Sequence, residues 1–311
     1  MNELILHQYA ASPFSEKIRC LLGYKQQAYR TVEIPVIMPK PDLMALTGGY
    51  RKTPVLQVGA DIYCDTSLIC RLIDRLYSDK PVYSDEQIAT LGAAAHWTDT
   101  FLFKVSVAVA FQPKALVGSD LFSDQATAEA FMADRADFSK GSTELGIDLA
   151  IAEPHWLLHM RRLDNQLSTA AFLGGEAPNI LDFSTYHCCW FVYKNDVLKA
   201  DLANFPALSK WMQAMHAFGQ GEAVAMTGEQ AVDIANSSVI STEPKLTVVS
   251  QESLSLGDIV EVMPIDYGFQ PTKGELLVSS MEEIVVKRSD QRAGQVAVHF
   301  PRLGFQVSKA P

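Results

Sequence analysis

The stretch Ser12-Pro13-Phe14-Ser15 has the spacing of a thiol–disulfide reductase motif, C-P-x-C, with hydroxyl groups at both cysteine positions. The thiolate is the nucleophile in such chemistry, and neither serine can supply one. A hydroxyl can instead hydrogen-bond to a thiolate that another molecule brings, which favours the charged form and lowers the pKa of the thiol. The N–H groups and partial positive charge of a helix N-terminus act in the same direction. The motif therefore predicts a site that stabilises a foreign thiolate at Ser12.

Two other interpretations of this stretch remain open from the residues alone. Serine is a preferred N-cap residue, so Ser12 can serve only to start the helix that follows. Ser15 is a second candidate hydroxyl, but it falls one turn later, where an ordinary first-turn helix residue is the simpler interpretation. Reductase activity is disfavoured, because positions 12 and 15 lack cysteine and helical spacing turns Cys20 inward.

The composition of the 311-residue chain argues against several classes of function. Its net charge is −10 and it has no basic block of five or six residues, which disfavours nucleic acid as a partner. No stretch approaches the roughly 18 apolar residues of a membrane span, and the N-terminus is too polar for a signal peptide. The histidines are scattered without an HExxH motif, so we expect no catalytic metal.

The cysteines indicate a reducing environment. Their number is odd, and their spacing fits neither a disulfide framework nor a zinc site. We expect buried structural thiols in a cytoplasmic protein. They are Cys20, Cys64, Cys70, Cys188 and Cys189.

An α/β unit must position Ser12. Residues 3 to 78 alternate strand and helix in the order βαβαββα, with Ser12 at the turn from the first strand into the first helix. Thr53-Pro54 opens the third strand, and Asp65-Thr66 begins the last helix of the unit.

Two further regions follow this unit. From Asp85 to about Gly219 the apolar residues recur with a helical period, and Asn179 with Asp182 forms a variant capping box. Residues 223–245 are small and polar, which predicts a linker. Residues 246–311 contain short β-branched segments separated by Gly and Pro, which predict a small all-β, barrel-like domain. Because about 65 residues are only marginally stable alone, we expect this domain to pack on the helical domain.

Residues 1 to about 220 resemble a cytosolic glutathione S-transferase. The segments that carry the resemblance are SPFSEKIR, KTPVL, DTSLICRLI, FLGGEAPNILDF and FPALSKWMQAM. The first is similar to the serine-type active-site turn of the zeta and theta classes, and to the omega turn with Ser12 replacing its cysteine. The resemblance implies an α/β thioredoxin-like domain in residues 1–80 and an all-α helical domain in residues 85–222. Residues 246–311, with the phrase VHFPRLGF, resemble the C-terminal β domain of a group of transferase-like proteins with unassigned substrates.

The resemblance also implies a ligand and a set of residues that bind it. It implies glutathione as the cosubstrate and Ser12 as the catalytic residue, and the scattered histidines add the expectation of no metal. A cis bond at Pro54 would turn the backbone of Thr53 toward the cysteinyl part of glutathione. Asp65 would receive the α-ammonium of the γ-glutamyl unit and Thr66 its carboxylate, while Lys52 or its neighbour Arg51 would meet the glycine carboxylate. A strand-opening proline, helix capping and a solvated charge pair are the respective alternatives.

The implied activity is that of a cytoplasmic, homodimeric transferase that conjugates the thiolate to an electrophilic small molecule. A glutathione-dependent isomerase or dehalogenase, and a non-catalytic scaffold whose β domain binds a partner, remain open. The candidate substrate pocket comprises His96, Trp97 and Phe101, with Phe103, on the helix that lines the cleft in the family. Aromatic residues at helical spacing can equally belong to the core.

The β domain contributes three weaker candidates. Tyr267, His299 and Arg302 lie in or beside Gly- and Pro-punctuated stretches near strand ends, where binding groups tend to be placed on a rigid scaffold. We interpret them as contacts for a substrate, a partner or the dimer mate. An edge-strand histidine and a surface arginine are the alternatives for the last two.

Overall fold

The structure is a computed structural model, which describes residues 3–116, 124–144, 146–247 and 254–311. Its N-terminal part has the predicted thioredoxin-like βαβαββα order. Strand β1 pairs parallel with β2 and antiparallel with β3, and β3 pairs antiparallel with β4. The elements are β1 Leu4–Gln8, α1 Pro13–Tyr24, β2 Ala28–Glu33, α2 Pro41–Thr47, β3 Val55–Val58, β4 Asp61–Cys64 and α3 Thr66–Leu76.

The second part is helical, as predicted. A π-helical turn at Thr98–Leu102 joins its first two helices, and a 3-10 turn at Ala200–Asn204 precedes its last. The predicted capping box is present: Asn179 accepts from the backbone of α9 and Asp182 accepts from the backbone N–H of Asn179. The helices are α4 Ile88–Trp97, α5 Phe103–Ala110, α6 Pro113–Leu116, α7 Gln125–Phe138, α8 Leu149–Leu167, α9 Ile180–Tyr193, α10 Asp196–Lys199 and α11 Pro206–His216.

The segment 223–245 differs from the predicted linker. Strand β5, Glu222–Met226, pairs parallel with β2 at the edge of the sheet. Helix α12, Gly228–Ser237, starts with a capping box between Thr227 and Gln230 and packs against α2. The Thr-x-x-Gln signature of this cap was readable in the sequence. The small, polar composition of the segment concealed it, because α12 buries only one narrow face.

The C-terminal part is all-β, as predicted, and its strands continue the thioredoxin-like sheet. Strand β10 pairs parallel with β4, so that the strand order runs β11-β7-β8-β9-β10-β4-β3-β1-β2-β5, with β6 beside β8. The strands are β6 Lys245–Leu246, β7 Ile259–Pro264, β8 Thr272–Ser279, β9 Glu283–Asp290, β10 Gly294–Pro301 and β11 Phe305–Lys309. We expected this part to pack on the helical domain, but it is attached mainly to the thioredoxin-like sheet, through the pairing of β10 with β4. The open edge of β4 offers unpaired backbone groups, and a further strand satisfies them.

The cysteines are buried and unpaired, as expected. All five are free thiols inside the protein, and burial raises the pKa of Cys20, Cys64 and Cys188 well above the ordinary value. Thiolate chemistry by the chain's own cysteines is therefore suppressed. No helix of the described residues has the length and apolar character needed to cross a membrane.

Candidate active site

Ser12 lines a cavity that the thioredoxin-like part shares with the helical part, and it is almost fully buried. It is the N-cap of α1, and its Oγ accepts a hydrogen bond from the Ser15 N–H at 3.2 Å. A hydroxyl that accepts in this way keeps its own proton to donate. Ser15 is absent from the cavity lining, and within the described part of the chain its buried Oγ has no hydrogen-bond partner.

The cavity has a volume of about 520 Å³ and is formed by all three parts of the chain. It brings together every predicted glutathione-binding residue, namely Lys52, Thr53, Pro54, Asp65 and Thr66. The Thr53–Pro54 peptide bond is cis, as expected.

Asp65 has the most unusual backbone in the cavity. Its φ is +75°, in a region that non-glycine residues rarely adopt and that costs about 1–3 kcal/mol. Its Oδ1 caps α3 by accepting from the N–H of Ser67 at 2.9 Å and from its hydroxyl at 2.6 Å. The second carboxylate oxygen takes part in neither bond. Such strain is kept where the surrounding structure serves a site.

Lys40 is a site residue that the sequence analysis missed. It is 3% exposed, lines the cavity, and its Nζ lies 3.4 Å from the Thr53 Oγ1. Burial, together with the nearby charges of Arg135 and Arg51, lowers its pKa to about 8. In the sequence it reads as a loop lysine between two prolines, and no local pattern distinguishes it.

The two cations predicted to bind the glycine carboxylate, Lys52 and Arg51, both form ion pairs within the protein. The Lys52 Nζ lies 2.6 Å from the Asp266 Oδ1 and 3.8 Å from the centre of the Tyr267 ring. Arg51 contacts Asp134 at 3.1 Å and Asp137 at 3.5 Å. The sequence does not indicate either interaction, because the acidic partners come from distant segments of the chain.

Most charged groups that line the cavity have an opposite charge within 4 Å. Asp99 contacts Lys17 at 2.6 Å and His187 at 3.0 Å. Burial opposes ionisation of Asp99, but these two partners lower its pKa to about 2. At the rim, Lys104 lies 4.0 Å from Glu144. Among the described residues, the lining cation and carboxylate without such a partner are Lys40 and Asp65.

The helical side of the cavity contains two of the three predicted pocket residues. His96 and Phe101 line it, with Phe103, whose ring centre lies 4.6 Å from that of Phe14. The prediction for Trp97 is wrong in this structure, because its side chain is 43% exposed and lies outside the lining. It stacks on Phe101 at 5.5 Å instead.

Of the three C-terminal candidates, one lines the cavity and two lie outside its lining. Tyr267 lines the cavity. His299 is buried away from it, with Nε2 at 3.0 Å from Asp61 and Nδ1 at 2.6 Å from Glu283. Arg302 donates to the Ser280 carbonyl at 3.0 Å. The last two therefore hold the C-terminal sheet together and do not meet a ligand in this cavity.

The arrangement can bind and polarise a thiol compound with charged ends. A hydroxyl donor and a helix N-terminus meet at Ser12, while an unpaired ammonium and an unpaired carboxylate lie in the same cavity. A thioredoxin-like unit followed by a helical domain, with this cavity between them, defines the glutathione transferase class of architecture.

Comparisons with known proteins agree with this class. The family model for the glutathione S-transferase N-terminal domain matches residues 6–81. The crystal structure of a GST-like protein from Pseudomonas syringae is 37% identical, with a TM-score of 0.83 and 100% of both chains covered. Glutathione S-transferase U4 of Arabidopsis thaliana is 22% identical over 210 residues, covering 65% of this chain and 80% of that protein. A possible glutathione S-transferase from Rhodopseudomonas palustris shares the fold at 17% identity and a TM-score of 0.50, over 68% of this chain and 86% of its own.

The chain therefore belongs to the family of GST-like proteins. The Pseudomonas syringae protein is matched over its full length, so the C-terminal sheet lies within that similarity. Proteins of the family use glutathione as cosubstrate, which supports a glutathione-dependent transferase in general terms.

Proposed function

We propose that the protein is a serine-type glutathione transferase, in which Ser12 stabilises the thiolate that attacks an electrophilic small molecule. The observation that carries this proposal is that two charged groups of the described cavity lining, Lys40 and Asp65, have no oppositely charged side chain within 4 Å. Glutathione has a glycine carboxylate that suits Lys40 and an α-ammonium that suits Asp65. The remaining charges of the lining are balanced by neighbouring residues.

The thiolate would be stabilised by two groups at one point. The Ser12 Oγ accepts a hydrogen bond from the Ser15 N–H, which makes the Ser12 O–H a stronger donor to the sulfur. The N-terminus of α1 adds a partial positive charge. Both effects favour the thiolate and lower the pKa of the bound thiol.

The other binding groups follow from the same pose. The backbone of Thr53, ahead of Pro54, would pair with the cysteinyl part of glutathione like an added strand. Thr66 and the first N–H groups of α3 would receive the γ-glutamyl carboxylate. Lys52, which is held by Asp266, would contribute as a secondary partner of the glycine end.

Conjugation is the reaction that we assign to the site. In a substitution, the sulfur forms a bond to the electrophilic carbon, the leaving group departs with its electron pair, and the thiol proton passes to solvent. The same thiolate would serve a glutathione-dependent isomerase or dehalogenase. The acceptor molecule, rather than the thiol site, distinguishes these reactions.

The test compares two serine variants. Ser12→Ala should raise the apparent pKa of the bound thiol, followed by thiolate absorbance, and lower turnover while leaving glutathione affinity nearly intact. Ser15→Ala is the matched control and should change neither value. If Ser15→Ala is the damaging change, the assignment of the turn is wrong. If folded protein binds no glutathione at millimolar concentration, the transferase proposal fails and the scaffold takes its place.

We also propose a cytoplasmic homodimer. Exposed apolar side chains on α8 support a subunit contact, with Ile151 at 53% and Leu158 at 48% exposure on one helix face. Trp97 contacts His159 of the same helix and extends this surface. Leu158→Glu should convert the dimer to a monomer in light scattering, and a wild-type protein that is monomeric at all concentrations would contradict the proposal.

A further inference from the structure

The turn between β1 and α1, which carries Ser12, is held from the protein interior by Arg19. Ala10 and Ala11 of this turn are exposed, whereas Arg19 is buried. The Arg19 Nη2 donates to the Ala10 carbonyl at 3.0 Å, and its Nη1 donates to the Gln8 Oε1 at the end of β1. One guanidinium group therefore links α1 to the turn and to the strand before it.

The guanidinium group is itself fixed by a buried carboxylate. The Glu16 Oε2 accepts from the Arg19 Nε at 3.0 Å and from its Nη2 at 2.8 Å. The same oxygen accepts from the Gln220 Nε2 at 2.8 Å, in the segment after α11. The planar fork of an arginine suits several directional bonds made at once. Arg19 therefore holds the turn from a single, fixed position.

Two further charged side chains bind the backbone of the turn. The Ala10 N–H donates to the Glu33 Oε1 of β2 at 3.1 Å. The Lys194 Nζ, at the end of α9, donates to the Ala11 carbonyl at 3.3 Å. Together with Arg19, charged side chains from three elements each bind one backbone group of the turn. A functional group needs such support if it is to stay within about 0.5 Å of its working position.

The charges of this cluster balance one another. Arg19 and Lys194 bring two positive charges to the turn, and Glu16 and Glu33 bring two negative charges. A net positive charge would favour a thiolate at Ser12 directly, but opposite charges that lie close together largely cancel at a distance. The effect that remains is geometric, since the bonds to the turn decide where the Ser12 hydroxyl points.

We propose that Arg19 is a positioning residue, which holds the turn so that the Ser12 hydroxyl points at the sulfur of the bound thiol. This inference rests on the proposed function and deepens it, since it names the interior residue on which the orientation of that hydroxyl depends. Lys40 and Asp65, which we assign to the charged ends of glutathione, lie outside this turn and should keep their positions without Arg19.

Arg19→Met tests the inference, because methionine keeps an apolar stem and removes the donors to the turn. The pKa of the bound glutathione thiol, followed by thiolate absorbance, should rise by about one unit, and turnover below that pKa should fall about tenfold. Turnover should recover as the pH rises above the thiol pKa. The affinity for S-methylglutathione, which has no ionisable thiol, should stay within about twofold, whereas general damage to the site would weaken both ligands.

A double-mutant cycle shows whether Arg19 acts through Ser12. In the Ser12→Ala protein, Arg19→Met should change the thiol pKa little further, because the hydroxyl that it positions is absent. Arg19→Lys keeps the charge without the planar fork and should restore only part of the wild-type turnover. Arg30→Met is the control and should leave the thiol pKa unchanged, because Arg30 pairs with Glu3 at the surface and lies outside the cavity lining.

Lys194→Met keeps the test valid if Arg19→Met does not fold, because Lys194 is exposed. It removes the bond to the Ala11 carbonyl and should lower turnover about threefold through a smaller rise of the thiol pKa.

The possible outcomes are distinct. A wild-type thiol pKa in the folded Arg19→Met protein, or in both Arg19→Lys and Lys194→Met, would overturn the inference and leave the glutathione site standing. An Arg19→Met effect of the same size without the Ser12 hydroxyl would assign Arg19 a role by charge alone. If the wild-type protein binds no glutathione, the proposed function fails, and this inference with it.

Discussion

At the scale of the residue, Ser12 combines helix capping with ligand chemistry in one hydroxyl group. The two interpretations that compete in the sequence are compatible, because the oxygen accepts from the Ser15 N–H and the proton stays available. The bond to the cap also fixes the rotamer of Ser12. We infer that capping orients the hydroxyl for the thiolate.

Asp65 allows capping and ligand binding to be separated by substitution. Asp65→Ala removes both the cap of α3 and the negative charge, whereas Asp65→Asn keeps an acceptor for the Ser67 N–H. We expect both variants to weaken glutathione binding by about 1.5–3 kcal/mol, the range for a hydrogen bond to a charged group, in titration calorimetry. Only the alanine variant should also lose stability, by about 1 kcal/mol. An asparagine variant with wild-type affinity would show that Asp65 acts as a cap alone.

Lys40 predicts a pH dependence of binding. With its pKa at about 8 in the free protein, the ammonium is charged below pH 8 and loses its charge as the pH rises through that value. The affinity for S-methylglutathione, which has no ionisable thiol, should therefore fall above pH 8. The fall reaches about tenfold for each unit by which the ligand raises the pKa of Lys40.

The control is Lys40→Arg, whose guanidinium stays charged over this range. It should remove that part of the pH dependence, while the titration of the ligand's own amino group remains in both proteins. Identical pH profiles for the two proteins would contradict the role given to Lys40.

Three of the site residues that the sequence predicted, Ser12, Pro54 and Asp65, lie at local signals. Ser12 and Asp65 cap helices, and Pro54 opens a strand, so neighbouring residues mark them. Lys40 has no such signal, and the Lys52–Asp266 pair joins residues that are 214 positions apart. Contacts of this kind depend on tertiary packing, which a single sequence does not display.

At the scale of the element, strand β10 joins the C-terminal strands to the thioredoxin-like sheet. It pairs with β9 on one side and with β4 on the other, through Ala297, Val298 and His299. Burial disfavours the charged form of His299, but Asp61 and Glu283 raise its pKa above the ordinary value. The Thr242 hydroxyl, 3.1 Å from its Nε2, and the stacked Tyr63 ring complete its surroundings.

The contacts of His299 with Asp61 and Glu283 predict that the stability of the protein depends on pH. A histidine whose pKa is raised by folding contributes stability that is full below the unfolded value of about 6.5 and is lost as the pH rises through the folded value. His299→Gln should cost about 3–5 kcal/mol in slightly acidic solution, as expected for a broken buried ion pair. The difference from wild type should shrink toward alkaline pH.

Urea unfolding of both proteins at several pH values measures this difference. The control is His216→Gln, because His216 is exposed on α11 and lies outside the proposed subunit contact. This variant should not show a stability difference that shrinks toward alkaline pH. A constant difference across the pH range would show that His299 contributes packing alone.

The strand and helix between residues 222 and 245 could not be predicted from the pattern of apolar residues. Strand β5 is exposed along most of its length, so it lacks the apolar alternation by which strands are recognised. Its pairing with β2 comes from the open edge of the sheet, which the segment's own composition does not reveal. The helices of 85–222 were predictable because long apolar faces repeat there.

At the scale of the whole molecule, the C-terminal sheet and the thioredoxin-like sheet form one hydrogen-bonded structure. The sequence predicts a separate small domain in residues 246–311, and its all-β character is confirmed by strands β7–β11. A truncation near residue 240 would strip β10 from the edge of β4 and remove the partner of Asp61. Loss of activity after such a truncation would therefore not distinguish a role in catalysis from a role in stability.

Native-state hydrogen exchange tests whether the two sheets unfold together. The Ala297 N–H donates to the Ala60 carbonyl at 3.0 Å, across the junction. We expect amides of β10 and β3 to open with the same free energy, because one cooperative unit exchanges at one value. A markedly lower free energy for all of β7–β11 would show that the C-terminal sheet opens independently.

A crystal structure with bound glutathione would show whether the ligand lies in this cavity with its sulfur at Ser12. We predict that the sulfur lies within hydrogen-bonding distance of the Ser12 Oγ, the glycine carboxylate at the Lys40 ammonium and the α-ammonium at Asp65. A sulfur beside Ser15, or glutathione bound outside the cavity at saturating concentration, would contradict it.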